Sequence, residues 1–176
     1  MKNKLSDLSV TFIKDLSRMY IEFNERDLDI ILKRINCVFG IHAYDVAYKV
    51  ETDVLKIENT IINMLENLNF KTFKVNTKRS DKSFGIQSTD FSRKMGGVIL
   101  RNKQDIKVDV HNPEIVFNIE IRNDYTYIYL NEYKGIGGYP VGTLGKGLLM
   151  LSGGIVSPVS GYLALKRGIK VDAVYF

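Results

Sequence analysis

Apolar and polar residues alternate along the start of this chain with two different periods, and each period predicts one type of element. A period of two over residues 8–23 predicts two short strands that meet near Lys14 and Asp15. Residues 26–40 have a helical period, and residues 42–51 return to the period of a strand. The apolar face of the predicted helix consists of Leu28, Ile31, Leu32 and Ile35.

The middle of the chain continues this mixture, so we expect an α/β (α+β) fold. The pattern predicts a helix over residues 54–70, a strand over 71–80, a helix over 88–102, a short strand over 107–110, and a hairpin of strands 115–123 and 125–132. The inward positions are Leu55, Ile61, Ile62, Leu65 and Leu68 in the first helix, and Phe91, Met95, Ile99 and Leu100 in the second.

A glycine-rich segment follows. Residues 134–146 contain five glycines and Pro140, which predicts either a flexible tether or a loop that an RNA backbone can approach closely. Two common phosphate motifs are excluded here. Pro140 stands where a Walker loop ending at Lys146 needs its first glycine, and the run from Gly135 lacks the third glycine of a dinucleotide fingerprint.

The last residues have the pattern strand, helix, strand. Residues 148–151 form an apolar run, and residues 171–176 alternate as a second strand. Between them, Ser157 is placed to cap a helix that has Pro158 in its first turn. The pattern predicts a parallel βαβ unit. Its loop, Ser152–Gly154, offers backbone N–H groups to an anion, although such a tripeptide also occurs as a simple turn.

The basic residues are concentrated in one segment. Residues 71–107 contain ten Lys and Arg against three Asp and Glu, a net charge of +7, while the whole chain carries +5. A local excess of this kind is expected where nucleic-acid phosphates bind, and the interleaved polar residues with Phe84 and Phe91 favour RNA. The alternative is a lysine-rich face that contacts only solvent.

Five stretches of the sequence resemble the tRNA 4-thiouridine synthetases (tRNA sulfurtransferases). The last, SGGIVSPVSGYLALKRGIKVDAVYF, is similar to the PP-loop of that family, which reads SGGIDSPVA. The stretches FGIHAYDVAYKV, KTFKV, VDVHNPEIVFNIEIR and GIGGYPVGTLGKGLLMLSGG resemble the family in the same order, so the resemblance extends from about Leu8 to Phe176. One departure is Val156, which stands where the family has aspartate.

The resemblance implies a domain order. Residues 1–26 correspond to a remnant of an N-terminal ferredoxin-like domain, residues 27–132 to a THUMP domain with its core from about residue 52, residues 133–147 to a glycine-rich linker, and residues 148–176 to the first βαβ unit of a PP-loop ATP-pyrophosphatase domain. Because the family has a further strand and helix before this point and a longer PP-loop domain, we expect the chain to be truncated at both ends.

Two groups of binding residues follow from the resemblance and the charge pattern, and no catalytic or metal-ligating residue is expected in this chain. The expected ATP-binding residues are Met150, Leu151, Ser152, Gly153, Gly154, Ser157, Tyr175 and Phe176. The expected tRNA-binding residues are Lys78, Arg79, Lys82, Arg93, Lys94, Arg101 and Arg122. Arg122 has an alternative role as an ion-pair partner of Glu120 or Glu132.

The resemblance further implies an activity and its partners. In the family, this region holds the tRNA acceptor end, the PP-loop domain uses ATP with magnesium to adenylate a uridine, and sulfur from a cysteine desulfurase displaces AMP to give 4-thiouridine. Thiazole synthesis for thiamine is a second family role, and a homodimer is one expected assembly. The alternative is a non-catalytic RNA-binding module or a decayed gene fragment, which Val156 favours because valine cannot hold magnesium.

The remaining composition points to a cytoplasmic protein. No apolar run reaches the roughly 18 residues that a membrane-spanning helix needs, and the first residues lack the apolar core of a signal peptide. The single cysteine, Cys37, excludes an internal disulfide and suits a reducing cytosol. We expect Cys37 to pack within a helix.

Overall fold

The computed structural model describes residues 1–15, 18–80 and 84–175. It divides into two compact units. The first, which we call the split unit, consists of Met1–Tyr44 and Tyr133–Phe176, and the second, the sheet unit, is Asp45–Glu132. Among the described residues, every helix is too short or too polar to cross a membrane. The same residues contain no group of three or more His, Cys, Asp and Glu side chains that could hold a metal ion.

The elements confirm the predicted mixture of helices and strands. The strands are β1 (Thr11–Lys14), β2 (Met19–Glu22), β3 (Ala43–Glu51), β4 (Thr72–Arg79), β5 (Lys107–Val108), β6 (Ile115–Ile121), β7 (Tyr125–Lys134), β8 (Lys146–Leu151) and β9 (Lys170–Tyr175). The α-helices are α1 (Leu28–Ile35), α2 (Val54–Glu66), α3 (Ser88–Asn102) and α4 (Val156–Lys166), and two short 3-10 helices span Lys2–Lys4 and Glu25–Asp27.

The sheet unit is built on five strands in the order β3-β7-β6-β4-β5. Strand β4 pairs in parallel with β5 on one side and with β6 on the other, while β6 and β7 form the antiparallel hairpin that the sequence predicts. Helix α3 connects β4 to its parallel neighbour β5, as a crossover connection requires.

Both helices of this unit pack against one face of the sheet. The buried residues of α2 and α3 join a single core with alternate residues of β4, β6 and β7, since successive side chains of a strand point to opposite faces. Phe73 and Phe117 meet there edge to face, with ring centroids 6.2 Å apart. Two inward predictions are wrong: Leu55 and Leu100 lie on the outer sides of their helices and are 68% and 45% exposed.

In the split unit, α1 packs with the first residues of the chain. Ile31 and Ile35 share a small buried cluster with Leu5, and the antiparallel pair β1 and β2 borders it. Arg34 donates hydrogen bonds to both carboxylate oxygens of Asp7, one of them 2.8 Å long. Cys37 lies in the turn after α1 and is exposed, so its predicted burial in a helix is wrong.

The end of the split unit is the predicted βαβ unit. Strands β8 and β9 pair in parallel from Lys146 to Leu151, and α4 connects them. The helix approaches the strand closely at Gly161, where a Cβ would stand 2.8 Å from a methyl group of Leu149. Glycine at this position therefore lets α4 lie against β8.

The glycine-rich segment between β7 and β8 is fixed by backbone hydrogen bonds, so the predicted flexible tether is wrong. On one side, the N–H groups of Gly135 and Gly137 donate to the carbonyls of His42 and Ile41. On the other, the N–H groups of Tyr139, Gly142 and Leu144 donate to carbonyls at the end of α4, those of Lys166 and Gly168. The small residues make room for neighbouring protein backbone.

Candidate nucleic-acid and phosphate-binding sites

The loop Ser152–Gly154 connects β8 to α4 and is exposed. Gly153 has φ +59°, in the left-handed region that favours glycine, and nothing lies within 4 Å of where its Cβ would stand. Among the described residues, none accepts a hydrogen bond from the backbone N–H groups of Gly153, Gly154 or Ile155. These donors at the start of an 11-residue helix are therefore available to an anion.

Ser157 holds this loop from inside. Helix α4 begins at Val156 with Ile155 at its N-cap and has no side-chain cap, so the predicted capping role of Ser157 is wrong, whereas Pro158 does lie in the first turn. The buried Ser157 hydroxyl accepts a hydrogen bond from the N–H of Ser152 (3.3 Å) and lies 3.4 Å from the carbonyl of Gly154, to which it donates. It thereby links both ends of the loop.

The other predicted ATP-binding residues lie at the carboxyl ends of the two strands. Leu151 and Tyr175 are register neighbours, and Met150 and Tyr175 are 65% and 73% exposed. Because the strands are parallel, these ends share one edge of the sheet with the loop. Phe176 lies outside the described residues.

This edge fits a nucleotide phosphate in part. Exposed N–H donors and the aromatic ring of Tyr175 are the groups that phosphate and purine can contact. A carboxylate is missing among the described residues of the loop, since Val156, 71% exposed at the first position of α4, offers no ligand to magnesium. Anion binding here would depend on backbone groups.

The predicted tRNA-binding residues are distributed over two opposite faces of the sheet unit. Lys78 and Arg122 lie on the face without helices, because their strand neighbours Thr77 and Ile121 are buried against the helices. The other face, covered by the helices, carries on α3 the residues Arg93, Lys94 and Arg101, all exposed. Lys82 lies outside the described residues. The structure therefore does not bring these residues together at one place.

Arg79 differs from the others because protein groups occupy its guanidinium. Its Nη1 donates to the carbonyls of Phe84 (2.7 Å) and Ile86 (2.9 Å), and its Nη2 donates to the side chain of Gln87 (2.8 Å). Arg79 is the last residue of β4, and Gln87 is the N-cap of α3. The side chain therefore fixes the residues that lead into α3.

Three further cations form ion pairs. Arg122 donates from Nε and Nη2 to the buried carboxylate of Glu120, at 3.0 and 2.8 Å, which is one of the alternatives that the sequence offered for it. On α3, Arg93 pairs with Asp90 at 3.1 Å, and Lys94 pairs with Glu58 of α2 at 2.9 Å. In the described part of the chain, Lys78 and Arg101 have no ion-pair partner.

Three tyrosines on the face without helices are absent from the residues predicted to bind. Tyr125, Tyr127 and Tyr129 alternate with Thr126 and Ile128, both fully buried in the core. The signal was present in the sequence as a period of two within a predicted strand. It predicts one shared face, but which face is open depends on where the helices pack.

Three family models match successive parts of the chain. The model of the ThiI ferredoxin-like domain matches residues 1–44, and the model of the THUMP domain matches residues 51–131. The model of the thiamine biosynthesis protein (ThiI) matches residues 142–176. Between them, these three matches include all of the predicted ATP- and tRNA-binding residues.

Two curated relatives carry the same description. The chain is 41% identical to a probable tRNA sulfurtransferase of Alkaliphilus oremlandii, over 100% of this chain and 46% of the relative. It is 43% identical to a probable tRNA sulfurtransferase of Geobacillus thermodenitrificans, over 96% of this chain and 42% of the relative. The chain thus spans less than half the length of these relatives.

Solved structures agree with this result. A 4-thiouridine synthetase–RNA complex with bound ATP superposes with a TM-score of 0.86 at 33% identity, over 99% of this chain and 45% of that protein. The protein PH1313 of Pyrococcus horikoshii superposes with a TM-score of 0.84 at 29% identity, over 97% of this chain and 58% of that protein. With its ferredoxin-like, THUMP and ThiI parts in this order, the chain belongs to the ThiI family of tRNA sulfurtransferases.

Proposed function

We propose that this chain is the tRNA-binding part of an ATP-dependent tRNA sulfurtransferase. The observation that carries the proposal is the net charge of +7 on residues 71–107, which fall within the part that the THUMP domain model matches. Lys78 and Arg101 are exposed there, and positive charge free of carboxylates is what a phosphate backbone requires. A relative solved in complex with RNA supports the same role.

The direct test compares tRNA with a DNA duplex at equal salt. We expect the full chain to prefer tRNA, with an affinity that falls as salt rises. Lys78→Gln and Arg101→Gln should each reduce the slope of log affinity against log salt by about one. Lys170→Gln removes one exposed charge outside the basic segment and is the control. An affinity that does not depend on salt, or equal affinity for both nucleic acids, would contradict the proposal.

We further propose that the loop Ser152–Gly154 binds the phosphates of ATP, with Met150, Leu151, Ser157, Tyr175 and Phe176 around it and magnesium as the counter-ion. ATP would supply the activation of a uridine for thiolation. Gly153→Ala should weaken ATP binding because the Cβ strains the left-handed backbone of the loop. Gly142→Ala is the matched control, since Gly142 also has a positive φ with nothing within 4 Å of its Cβ position. Equal ATP affinity for the two variants would contradict this assignment.

The activity of the whole protein is part of the same proposal. The whole protein would bind the acceptor end of tRNA, receive sulfur from a cysteine desulfurase and make 4-thiouridine in that tRNA. It would act in the cytoplasm as a homodimer, and thiazole synthesis for thiamine would be its second role. The basic residues Lys82, Arg93 and Lys94 would add positive charge for tRNA binding. Arg79 and Arg122, whose guanidinium groups contact other protein groups, would contribute their charge at longer range. Measuring the mass of the chain in solution, alone and mixed with tRNA, tests the dimer, because a homodimer has twice the mass of one chain.

A second candidate function is RNA binding without ATP chemistry. Val156 favours it, because the exposed apolar side chain stands at the helix start where a carboxylate could assist magnesium. The ATP titration separates the two functions. A chain that binds tRNA but shows no ATP affinity is the non-catalytic module.

A further inference from the structure

The sheet unit has one face without helices, and its residues form ordered rows across three strands. In one row, Asn76, Asn118 and Tyr129 are register neighbours on β4, β6 and β7, and the two amides share a hydrogen bond of 3.1 Å. In the next row, Lys78, Glu120 and Tyr127 are register neighbours in the same way. Each row therefore ends on a tyrosine ring.

A third row begins where the hairpin turns. The backbone N–H of Arg122 donates to the carbonyl of Tyr125, and the guanidinium of Arg122 lies 5.9 Å from the ring centre of Tyr127. On the other side, the ammonium group of Lys49 on β3 lies 4.0 Å from the ring centre of Tyr125. A cation therefore lies beside each of two rings, Lys49 beside Tyr125 and Arg122 beside Tyr127.

The charge of this face favours a polyanion. By strand alternation its cations are Lys49, Lys74, Lys78, Lys107 and Arg122, and its carboxylates are Asp45, Glu51 and Glu120. Glu51 pairs with Lys56 of α2. Glu120 is 4% exposed and pairs with Arg122, so it contributes little negative charge to the surface. Tyr125 is 43% exposed, and Tyr127 and Tyr129 are half-buried.

We propose that this face binds single-stranded RNA, with unpaired bases stacked on Tyr125, Tyr127 and Tyr129 and phosphates near Lys49 and Lys78. Aromatic rings on a sheet with basic residues at their sides stack bases that are free of a helix, whereas paired bases cannot reach them. The amides of Asn76 and Asn118 can contact base edges. The inference rests on the proposed tRNA binding, and it adds the three tyrosines and Lys49 to the predicted residues Lys78 and Arg122 on this face.

The sheet provides its own control. Tyr48 on β3 is 49% exposed, close to the 43% of Tyr125. Val50, which packs against the core, lies on the same side of β3 as Tyr48. Tyr48 therefore belongs to the face that the helices cover, opposite to the face of Tyr125. The test measures binding of the full chain to a labelled 12-nucleotide oligouridine and to an RNA hairpin duplex at one salt concentration. Tyr125→Leu should weaken oligouridine binding about fivefold or more and leave the duplex affinity unchanged.

Two further variants complete the test. Tyr125→Phe keeps the ring and should bind oligouridine within about twofold of the natural chain, as should Tyr48→Leu. Equal losses for Tyr125→Leu and Tyr48→Leu, or no loss for Tyr125→Leu, would overturn the site. In those cases the natural chain would still bind tRNA. Failure of the natural chain to bind tRNA would instead overturn the proposed function itself.

Discussion

Gly138 lies directly against the backbone of Lys166, at the end of α4. A Cβ on Gly138 would stand 2.3 Å from the carbonyl oxygen of Lys166, and the next residue, Tyr139, donates its N–H to the same oxygen. Gly138 also has φ +79°, in the left-handed region. This contact joins the glycine-rich segment to the βαβ unit, and it depends on the absence of a side chain.

Gly138→Ala should therefore destabilise the split unit strongly. The left-handed backbone costs an alanine roughly 1–2 kcal/mol, and moving a backbone carbonyl to admit the methyl group costs about 1–3 kcal/mol more. Urea unfolding followed by circular dichroism measures the free energy of unfolding.

The control for this substitution lies in the same segment. Gly142 has φ +94°, but nothing lies within 4 Å of its Cβ position, so Gly142→Ala should cost only the roughly 1–2 kcal/mol of backbone strain. If the two variants unfold at the same urea concentration, the close approach of Gly138 to Lys166 does not contribute to the free energy of unfolding.

Arg79→Lys should destabilise the sheet unit even though it keeps the positive charge. A lysine cannot reach the two carbonyls and the amide that the guanidinium of Arg79 contacts, and each hydrogen bond to a charged group is worth about 1.5–3 kcal/mol. We expect faster hydrogen exchange at residues 84–87 and a loss of about 1.5–3 kcal/mol in the free energy of unfolding.

Lys78→Met is the matched control for Arg79. It removes a charge from the adjacent exposed position and should change stability by no more than about 0.5 kcal/mol. If Arg79→Lys unfolds like the natural chain and Lys78→Met does not, the roles assigned to the two residues are reversed.

The sequence predicts most of the elements because their periodic patterns are long. The helix predicted over residues 88–102 has the same bounds in the structure, where Phe91, Met95 and Ile99 are buried as expected. Leu100 is also predicted to be buried but is exposed, because it lies just beyond the apolar stripe of α3. At such a position, burial depends on which element packs beside the helix. The predicted βαβ unit follows from its two apolar strands and is confirmed by their parallel register.

What the sequence could not predict depends on neighbours that are distant in the chain. Arg79 and Lys78 are adjacent and equally basic in sequence, yet the pleat of β4 directs Arg79 towards the residues before α3 and Lys78 to the other face. The glycines of residues 135–145 look like a tether until the backbone of Ile41 and Lys166 is seen beside them. Such contacts cannot be predicted from the local amino-acid composition, because they join residues that are distant in the chain.

The stability of the split unit should depend on pH through Asp7. The hydrogen bonds from Arg34 hold the pKa of the Asp7 carboxyl below its usual range, because they favour the ionised form. The folded-state pKa is therefore below the unfolded one, so the stabilisation is complete above the unfolded pKa and is lost as pH falls through the folded one. Asp7→Asn removes it at all pH values.

The measurement is the difference in free energy of unfolding between the natural chain and Asp7→Asn. It should be constant from about pH 5 to pH 8 and shrink below about pH 4. In the sheet unit, Asp109→Asn should behave in the same way, since backbone N–H groups of Asn112 and His111 lower the pKa of Asp109. A difference that grows as the solution becomes more acidic would contradict both assignments.

Val156→Asp should strengthen binding of magnesium and ATP. Val156 is exposed at the first position of α4, beside the loop Ser152–Gly154, so a carboxylate there can assist the metal ion. The same carboxylate should stabilise the helix by about 0.3–1 kcal/mol, because it lies at the positive end of the helix dipole. Val159→Asp is the control, since Val159 is also exposed but lies one turn further along the helix. Calorimetric titration with ATP, with and without magnesium, should show tighter binding only for Val156→Asp and only with magnesium. If the ATP affinity of Val156→Asp equals that of Val159→Asp under both conditions, position 156 has no part in holding the metal.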